Sequence, residues 1–317
     1  RSAPPPVAAT DGRDLFRSLP WLKRLLQWRG FQFTCVALAM ALFCVVLLTA
    51  SLGTRMAGRN LGSMLTWIVW LFVLVAVLVP FGGRLWCLAC PLPFLGESLQ
   101  RGALVGVHRG STGPYRNRFF GLNRPWPRWL ANAWPRTVTF LALGTFSTVL
   151  VASPRASAAV LAGMALLALA LSLVWELRAF CRHVCPINAF VGLYSMAGKL
   201  AVRATDRTVC GDCTVHTCLT GNTRGWACPY GLCIGEVNEN NDCGMCTECV
   251  KTCAHDNVTL RWRPLAHEIR VRTASEAFQA MVTAGTVTDS NKVRIALESI
   301  KEYNGILGPT SWTGQAT

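Results

Sequence analysis

The stretch Cys243-Gly-Met-Cys246-Thr-Glu-Cys249-Val-Lys-Thr-Cys253 is the most informative part of this chain. Three thiolates spaced by two residues can hold three corners of an iron–sulfur cubane, and a fourth cysteine three residues on serves a neighbouring cluster. Zinc sites usually take two separated Cys-x2-Cys pairs, because one tetrahedral ion needs only four ligands. The run therefore predicts iron–sulfur clusters rather than zinc.

A second cysteine run lies upstream, where Cys210-x2-Cys213-x4-Cys218 is followed by Cys228-Pro229. In two-cluster ferredoxins the last cysteine of each run serves the other cluster. The rule predicts two [4Fe-4S] clusters, one held by Cys210, Cys213, Cys218 and Cys253, the other by Cys228, Cys243, Cys246 and Cys249. Because the spacings of the upstream run depart from the usual pattern, the leftover Cys233 is an alternative to Cys228 as a ligand.

The composition indicates a membrane protein. The 317 residues are 52% hydrophobic and only 15% charged, and the mean hydropathy is +0.34. This is too apolar for an ordinary soluble domain. A bilayer-spanning helix needs about 20 apolar residues. The segments that predict four such spans are 33–52, 62–81, 137–153 and 157–177; the alternative is three spans and a buried helix.

The formal net charge of +15 follows the predicted membrane topology. Basic residues precede the first span, fill the loop between the second and third, and follow the fourth, whereas the other two loops hold only Arg55, Arg59 and Arg155. This is the positive-inside asymmetry, and it predicts that both termini and the cysteine-rich segment are cytoplasmic. Thiols stay reduced in that compartment. Since topology explains the charge, no nucleic-acid partner is expected.

A cysteine motif repeats at the predicted membrane surface. The second span ends in Arg84-x2-Cys87-x2-Cys90-Pro91 and the fourth in Arg178-x2-Cys181-x3-Cys185-Pro186. The repeat predicts two tandem helix pairs related by an axis along the membrane normal. Three interpretations of the four cysteines stand: a shared further metal centre, a redox-active dithiol pair, or small apolar core residues. The repetition favours a metal centre with the ligands Cys87, Cys90, Cys181 and Cys185.

These observations predict an all-α integral membrane protein with four transmembrane helices in two tandem helix-pair repeats. A small cytoplasmic two-cluster ferredoxin-like α+β domain follows. The predicted boundaries are a flexible N-terminus and interfacial amphipathic helix over 1–32, the four-helix core with both Cys-Pro motifs over 33–200, the ferredoxin-like domain over 201–264, and a tail of uncertain origin over 265–317.

Two Cys-x(2–3)-Cys-Pro motifs on a four-helix membrane core, followed by ferredoxin-type runs, resemble the membrane polyferredoxins. That family includes accessory proteins of periplasmic nitrate reduction and of nitrous oxide reductase maturation, and an assembly factor of cytochrome oxidase. The resemblance covers about residues 30–264 and is most specific at the Cys-Pro pairs and at 243–253. The first Cys-Pro pair departs from the family, since it has two intervening residues where the family usually has three.

The resemblance implies two [4Fe-4S] clusters and a multi-pass protein of the bacterial inner membrane. It also implies electron transfer between the quinone pool or a cytoplasmic donor and a partner redox protein. Membrane lipid, partner subunits of an oxidoreductase complex and a quinone are the implied partners. No nucleophile or general base is evident, so no catalytic residue is expected. Residues 273–317 are similar to the end of a branched-chain amino-acid-binding protein, from which we draw no ligand-binding function.

An alternative function is a copper or iron reductase or an assembly factor that uses the membrane Cys-Pro thiols. Soft thiolates favour Cu(I), so this chemistry is reasonable for Cys87, Cys90, Cys181 and Cys185. A redox-sensing regulator is a third option, but the sequence contains no recognisable output domain. The carrier function agrees best with the paired cluster motifs.

Overall fold

The computed structural model describes residues 12–106 and 120–270. This part of the chain is mostly helical, with one three-stranded antiparallel sheet. The strands are β1 Arg13–Asp14, β2 Leu200–Ala204 and β3 Val258–Trp262. The α-helices are α1 Leu15–Ser18, α2 Pro20–Gln27, α3 Arg29–Leu52, α4 Leu61–Ser63, α5 Val79–Gly82, α6 Trp86–Ala89, α7 Phe94–Arg101, α8 Trp134–Thr145, α9 Ser147–Ala152, α10 Pro154–Val174, α11 Pro186–Tyr194, α12 Arg207–Gly211, α13 Thr217–Thr220 and α14 Glu248–Thr252. The C-terminal segment with the binding-protein resemblance lies outside the described residues.

Three helices are long and apolar enough to cross a membrane, namely Arg29–Leu52, Leu61–Gly82 and Pro154–Val174. Their most apolar windows have hydropathies of 2.6, 2.5 and 2.3, yet only 17%, 11% and 22% of those windows is buried inside the protein. Apolar surface left exposed to this extent is typical of helices that face lipid. Helices long and apolar enough to span a membrane thus cover three of the four predicted segments.

The remaining predicted span, 137–153, is divided into two helices. α8 ends at Thr145 and α9 begins at Ser147, and between them Phe146 has the non-helical dihedrals φ −90° and ψ 7°. Gly144 and the β-branched Thr145 directly precede the break, and both have low helix propensity. Neither piece alone reaches the length that a bilayer requires. Four spans in two tandem repeats therefore stay a prediction.

The second span is not a regular α-helix. Between α4 and α5 its turns are π-helical over Met64–Trp70 and Val73–Leu78. Pro80, inside α5, cannot donate a backbone hydrogen bond. Wide turns of this kind are rare and often lie near functional sites. Here they directly precede the first Cys-Pro motif.

The sheet organises the cysteine-rich segment. β2 pairs with β3 from Leu200 opposite Trp262 to Ala204 opposite Val258. The cysteine-rich chain between the two strands is therefore a long loop whose two ends are held together by the sheet. Val202 of β2 and Leu260 of β3 are buried in an apolar core with side chains from the cysteine loops. The sheet and its short helices agree with the α+β character predicted for this segment.

The N-terminal helices pack against this same core. Phe16 of α1 and Leu26 of α2 are 7% exposed and belong to the apolar cluster of the cysteine-rich segment. The neighbouring β1 adds a third strand beside β3. Part of the apolar face predicted for a membrane interface is therefore covered by protein. Trp21 is 59% exposed on the other side, and the interfacial placement of α2 stays a prediction.

Glu268 anchors the segment after β3 to the sheet. Its carboxylate pairs with the guanidinium of Arg203, accepts a 2.6 Å hydrogen bond from Nη2 of Arg263, and accepts a 2.8 Å hydrogen bond from the backbone N–H of Asn240. All of these groups are buried. One carboxylate thus compensates two buried cations, and this constraint ties residues 263–268 to β2.

We expect Glu268→Ala to lower the free energy of unfolding by about 3–5 kcal/mol, because it leaves two buried guanidinium groups without a carboxylate. The measurement is thermal unfolding of the detergent-solubilised protein, followed with a thiol-reactive dye. Glu236→Ala removes an exposed acid of the same segment and is the matched control. Equal transition temperatures for the two variants would contradict the expectation.

Candidate metal centres

Five cysteine thiols line one cavity between α12, α13 and the loop that precedes β3: Cys210, Cys213, Cys218, Cys233 and Cys253. Four of them are the predicted ligands of one cluster, so the structure brings that set together. The fifth, Cys233, lies within hydrogen-bonding reach of Cys218. The thiol of Cys233 thus lies in the cavity of the first set, and its role as an alternative ligand to Cys228 stays a prediction.

Asn257 donates two hydrogen bonds to sulfur in this cavity. Its backbone N–H lies 3.3 Å from Sγ of Cys253, and its side-chain Nδ2 lies 3.4 Å from Sγ of Cys210. The amide is held in place by Asp206, whose backbone N–H donates to Oδ1 of Asn257 at 2.9 Å. Hydrogen bonds to the sulfur ligands are one of the means by which proteins set cluster potentials. The donor set fits an iron–sulfur cluster.

The second predicted set also comes together. The thiol of Cys228 lies within hydrogen-bonding reach of Cys246, and the thiol of Cys246 lies close enough to influence both Cys243 and Cys249. Cys228 is thus beside the downstream run, and Cys253 is beside the upstream run. The fourth cysteine of each run therefore lies beside the other run, and the exchange of ligands between the two runs stays a prediction.

The loop of the second set aims backbone amides at sulfur. Met245 and Thr247 have φ values of +48° and +61°, which is unusual for residues other than glycine. The backbone N–H groups of Met245 and Glu248 hydrogen-bond the thiols of Cys243 and Cys246. Successive backbone N–H groups that point to the same side of a turn form a concave anion-binding loop, as at many iron–sulfur sites. The local strain is therefore explained by what the loop must hold.

The cysteines of the Cys-Pro motifs form a third neighbourhood. Cys90, Cys181 and Cys185 pack in one apolar cluster, and the thiol of Cys87 is close enough to act on all three. Burial raises the pKa of Cys185 to about 11 and raises the pKa of Cys90 and Cys181. A raised thiol pKa disfavours a dithiol activated by easy ionisation.

No group of three or more His, Cys, Asp or Glu side chains within residues 12–106 and 120–270 is arranged so that it could hold a metal ion. The three sulfur neighbourhoods are therefore defined by shared cavities, packing and hydrogen bonds. The ligand roles of their members stay predictions. His183, between Cys181 and Cys185, stacks on Trp126 with ring centroids 4.7 Å apart, so its ring has a packing partner.

Tyr230 connects the ferredoxin-like segment to both Cys-Pro motifs. Its ring lies between the guanidinium groups of Arg84 and Arg178, whose Cζ atoms are 5.6 Å and 5.9 Å from the ring centroid. Cation–π contacts of this kind gain strength when the ring is shielded from water, and Tyr230 is 3% exposed. The two arginines occupy matching positions of the two motifs. One aromatic side chain thus contacts both.

Arg84 is buried at 1% exposure and bridges the second and third sulfur neighbourhoods. It hydrogen-bonds the thiol of Cys87, and its Nη1 donates to the carbonyl of Asn241 at 2.5 Å, two residues before Cys243. Burial would lower the pKa of Arg84, but Cys87, Tyr230 and Cys243 together raise it. None of these three groups is a carboxylate, so the charge of Arg84 faces sulfur and phenol.

Arg178, in contrast, has a carboxylate. Its guanidinium pairs with Glu97, including a 3.0 Å hydrogen bond from Nη2 to Oε2, and Arg101 lies 3.4 Å from the same oxygen. Burial alone would raise the pKa of Glu97, but Arg101 and Arg178 lower it to about 2. This ion pair joins α7, which follows the first motif, to the start of the second motif.

Sequence reasoning did not predict Glu97, Tyr230 or Asn257. Two of them have a local signal in the sequence. Glu97 is the lone acid between the first Cys-Pro motif and Glu176, and Tyr230 directly follows Cys228-Pro229. Asn257 carries none, because its contact with two sulfur atoms depends on where the strand β3 begins.

Two segments of the chain, residues 63–111 and 157–203, match the family model described as "4Fe-4S binding domain" (Fer4_5). Each segment contains one Cys-Pro motif. The chain is also 33% identical over 94 residues to the ferredoxin-type protein NapH of Escherichia coli (strain K12). That match covers 26% of this chain and 30% of the relative, so most of the relative's length is not represented. No solved structure matches the chain.

These matches, together with the sulfur neighbourhoods, support an iron–sulfur electron-transfer protein with apolar helices suited to a membrane. The chain is similar to the polyferredoxin-like 4Fe-4S family, and the resemblance found in the sequence is confirmed at that level.

We expect Asn257→Ala to lower the reduction potential of the first site, because an N–H donor to sulfur favours the more negative reduced state. A net hydrogen bond is worth about 1 kcal/mol, which is about 40 mV for one electron. Potentiometric titration followed by EPR measures the shift. Asn222→Ala, which removes an amide bonded to the carbonyl of Thr252, is the control. The signal of the second site should stay unchanged.

The low pKa of Glu97 predicts that the stability of the fold falls in acid. Its folded-state pKa of about 2 lies below the usual value of about 4.3, so the carboxylate stabilises the fold above pH ~4.3 and this stabilisation is lost as the pH falls toward 2. We expect Glu97→Gln to lose about 3 kcal/mol at pH 7 and to depend less on pH below ~4.3. Unfolding midpoints between pH 7 and pH 3 test this. A Glu97→Gln profile parallel to the parent and to Glu236→Gln would contradict it.

Proposed function

We propose that this protein is a membrane-anchored electron carrier whose cytoplasmic segment holds two [4Fe-4S] clusters. The observation that carries the proposal is the pairing of two four-cysteine sets by exchange of Cys228 and Cys253 between the runs. Such an exchange is characteristic of two-cluster ferredoxins. The first cluster would be held in the cavity that contains Cys210 and Cys218, and the second by the set around Cys246.

Bound clusters would supply one-electron oxidation and reduction at these two sites. The chain's own residues hold the thiolates, donate hydrogen bonds to sulfur from Asn257 and from the backbone of Met245, and exclude water. Trp226 is 6% exposed, and the guanidinium groups of Arg29 and Arg101 lie over its ring. These contacts shield this side of the cysteine-rich segment from water.

The order of the sites along the molecule supports a carrier. Cys218 of the first set is among the groups that act on Cys249 of the second set. Arg84 then acts between Cys243 of the second set and Cys87 at the membrane. The three sulfur neighbourhoods are thus close enough for charged groups of one to influence the next, which is the order that a chain of electron-transfer sites needs.

We further propose that Cys87, Cys90, Cys181 and Cys185 hold a metal centre in the functional protein. Four clustered thiols, of which Cys185 is buried and the other three are half-buried, lie beside an arginine that has no carboxylate among its main partners. This is a poor arrangement for neutral side chains, because the cation of Arg84 gains little from protonated sulfur. Metal binding deprotonates a thiol outright. The match of the 4Fe-4S binding domain to the segments that contain these cysteines supports an iron–sulfur occupant.

The orientation and partners are also part of the proposal. The cluster segment and both termini face the cytoplasm of a bacterial inner membrane, since basic residues flank the predicted cytoplasmic ends of the spans. Electrons pass between the quinone pool or a cytoplasmic donor and a redox partner protein. Similarity to a ferredoxin-type protein supports a redox partner, and the apolar helices support contact with lipid.

The alternative is a copper or iron reductase or assembly factor that uses the membrane thiols. The observation in its favour is that four soft thiol ligands, buried or half-buried, cluster beside the apolar helices, which suits Cu(I). In that case the cytoplasmic clusters would deliver electrons to a transient metal at the third neighbourhood.

The deciding experiment counts iron and acid-labile sulfide in anaerobically purified protein and records EPR spectra after reduction. We expect about eight irons per chain if only the cytoplasmic sites are filled, and about twelve if the membrane set also holds a cubane. Cys243→Ser/Cys246→Ser should remove about four irons. Cys35→Ser/Cys44→Ser, two cysteines within α3, is the matched control and should remove none.

The membrane site is tested with Cys87→Ser/Cys90→Ser. Loss of about four irons would support a third cluster, whereas unchanged iron with abolished retention of added Cu(I) would support the alternative. A reduced quinone analogue should reduce the carrier rapidly in lipid vesicles. Anaerobic protein that contains no sulfide and gives no EPR signal would refute the carrier altogether.

A further inference from the structure

The cavity of the first site contains one thiol more than a cubane needs. Five cysteines line it, and four ligands complete a [4Fe-4S] cluster. The spacing rule selects Cys210, Cys213, Cys218 and Cys253 and leaves Cys233 out. The contacts in the folded chain favour a different selection.

The segment 233–235 is wrapped closely around the site. The backbone N–H of Ile234 donates to the thiol of Cys218, and the thiol of Cys233 lies within hydrogen-bonding reach of that same sulfur. Gly235 packs against Cys210, since a Cβ placed on Gly235 would lie 2.6 Å from the Cβ of Cys210. Only a glycine allows this approach. Three successive residues thus contact two ligands of the site.

Four of the five thiols share one apolar core. Cys218 is buried in that core, and Cys210, Cys233 and Cys253 pack against it. Cys213 lines the cavity but is not among the residues that pack against this core. Cys213 follows α12, and four residues rather than two separate it from Cys218.

We propose that Cys233 is a ligand of the first cluster, together with Cys210, Cys218 and Cys253, and that Cys213 stands outside the ligand set. This inference rests on the proposed function, since it presupposes a cluster in the cavity. The loop Cys228–Cys233 then supplies one ligand to each cluster from its two ends. Between those ends, Tyr230 contacts the arginines of both membrane motifs. One six-residue loop therefore fixes both clusters and their docking onto the membrane region.

The test compares Cys233→Ala with Cys213→Ala in anaerobically purified full-length protein. We expect Cys233→Ala to lose about four irons and the EPR signal of the first site, while the signal of the second site persists and shows that the segment is folded. Cys213→Ala should keep both signals. Gly235→Val should reproduce the loss in Cys233→Ala, because the added side chain displaces the segment from Cys210.

A second measurement does not depend on how the variants fold. In the parent holoprotein under native anaerobic conditions, a maleimide should label Cys213 and spare Cys233, as read by mass spectrometry. Loss of the first signal in Cys213→Ala with retention in Cys233→Ala, or labelling of Cys233 in place of Cys213, would overturn the inference. Two absent signals in the parent protein would instead refute the proposed function, so the two failures are distinguishable.

Discussion

The structure depends on how it compensates sulfur and charge buried at the junction between the long apolar helices and the ferredoxin-like segment. Water is largely excluded there, so a guanidinium must find a carboxylate, an aromatic face or a thiolate. Arg178 finds Glu97, whereas Arg84 finds Cys87 and the carbonyl of Asn241. Both also contact Tyr230. A small set of polar contacts, made by Arg84, Arg178 and Tyr230, therefore determines how the ferredoxin-like segment docks onto the Cys-Pro motifs.

The same constraint explains why the two Cys-Pro motifs differ although their sequences are similar. The arginine of the second motif is balanced by a carboxylate, while the arginine of the first faces sulfur. The site formed between them is therefore asymmetric in charge. An anionic metal–thiolate centre beside Arg84 would complete the balance, and this asymmetry links the electrostatics of the junction to the proposed third centre.

Much of the fold could be predicted from the sequence, because long apolar runs and the spacing of cysteines within a motif are local properties. The three apolar helices of membrane-spanning length could be predicted by counting apolar residues against the thickness of a bilayer. The paired cysteine sets needed only the ferredoxin rule. The span at 137–153 was harder to predict, because a single break at Phe146 depends on neighbouring packing as much as on propensity. The docking of α1 and α2 on the cysteine-rich core likewise has no local signal.

The sequence alone determined that the chain has helices suited to a membrane, that its cysteines come in matched sets, and that one-electron chemistry suits those sets. Tertiary structure alone decided which thiol joins which neighbourhood. Cys233 is five residues from Cys228 along the chain, yet the loop between them turns the two thiols toward different sites. It also decided that Asn257, Tyr230 and Glu97 support those sites. Their roles arise from contacts between residues distant in sequence, and spacing along a chain carries no information about such contacts until the backbone has folded.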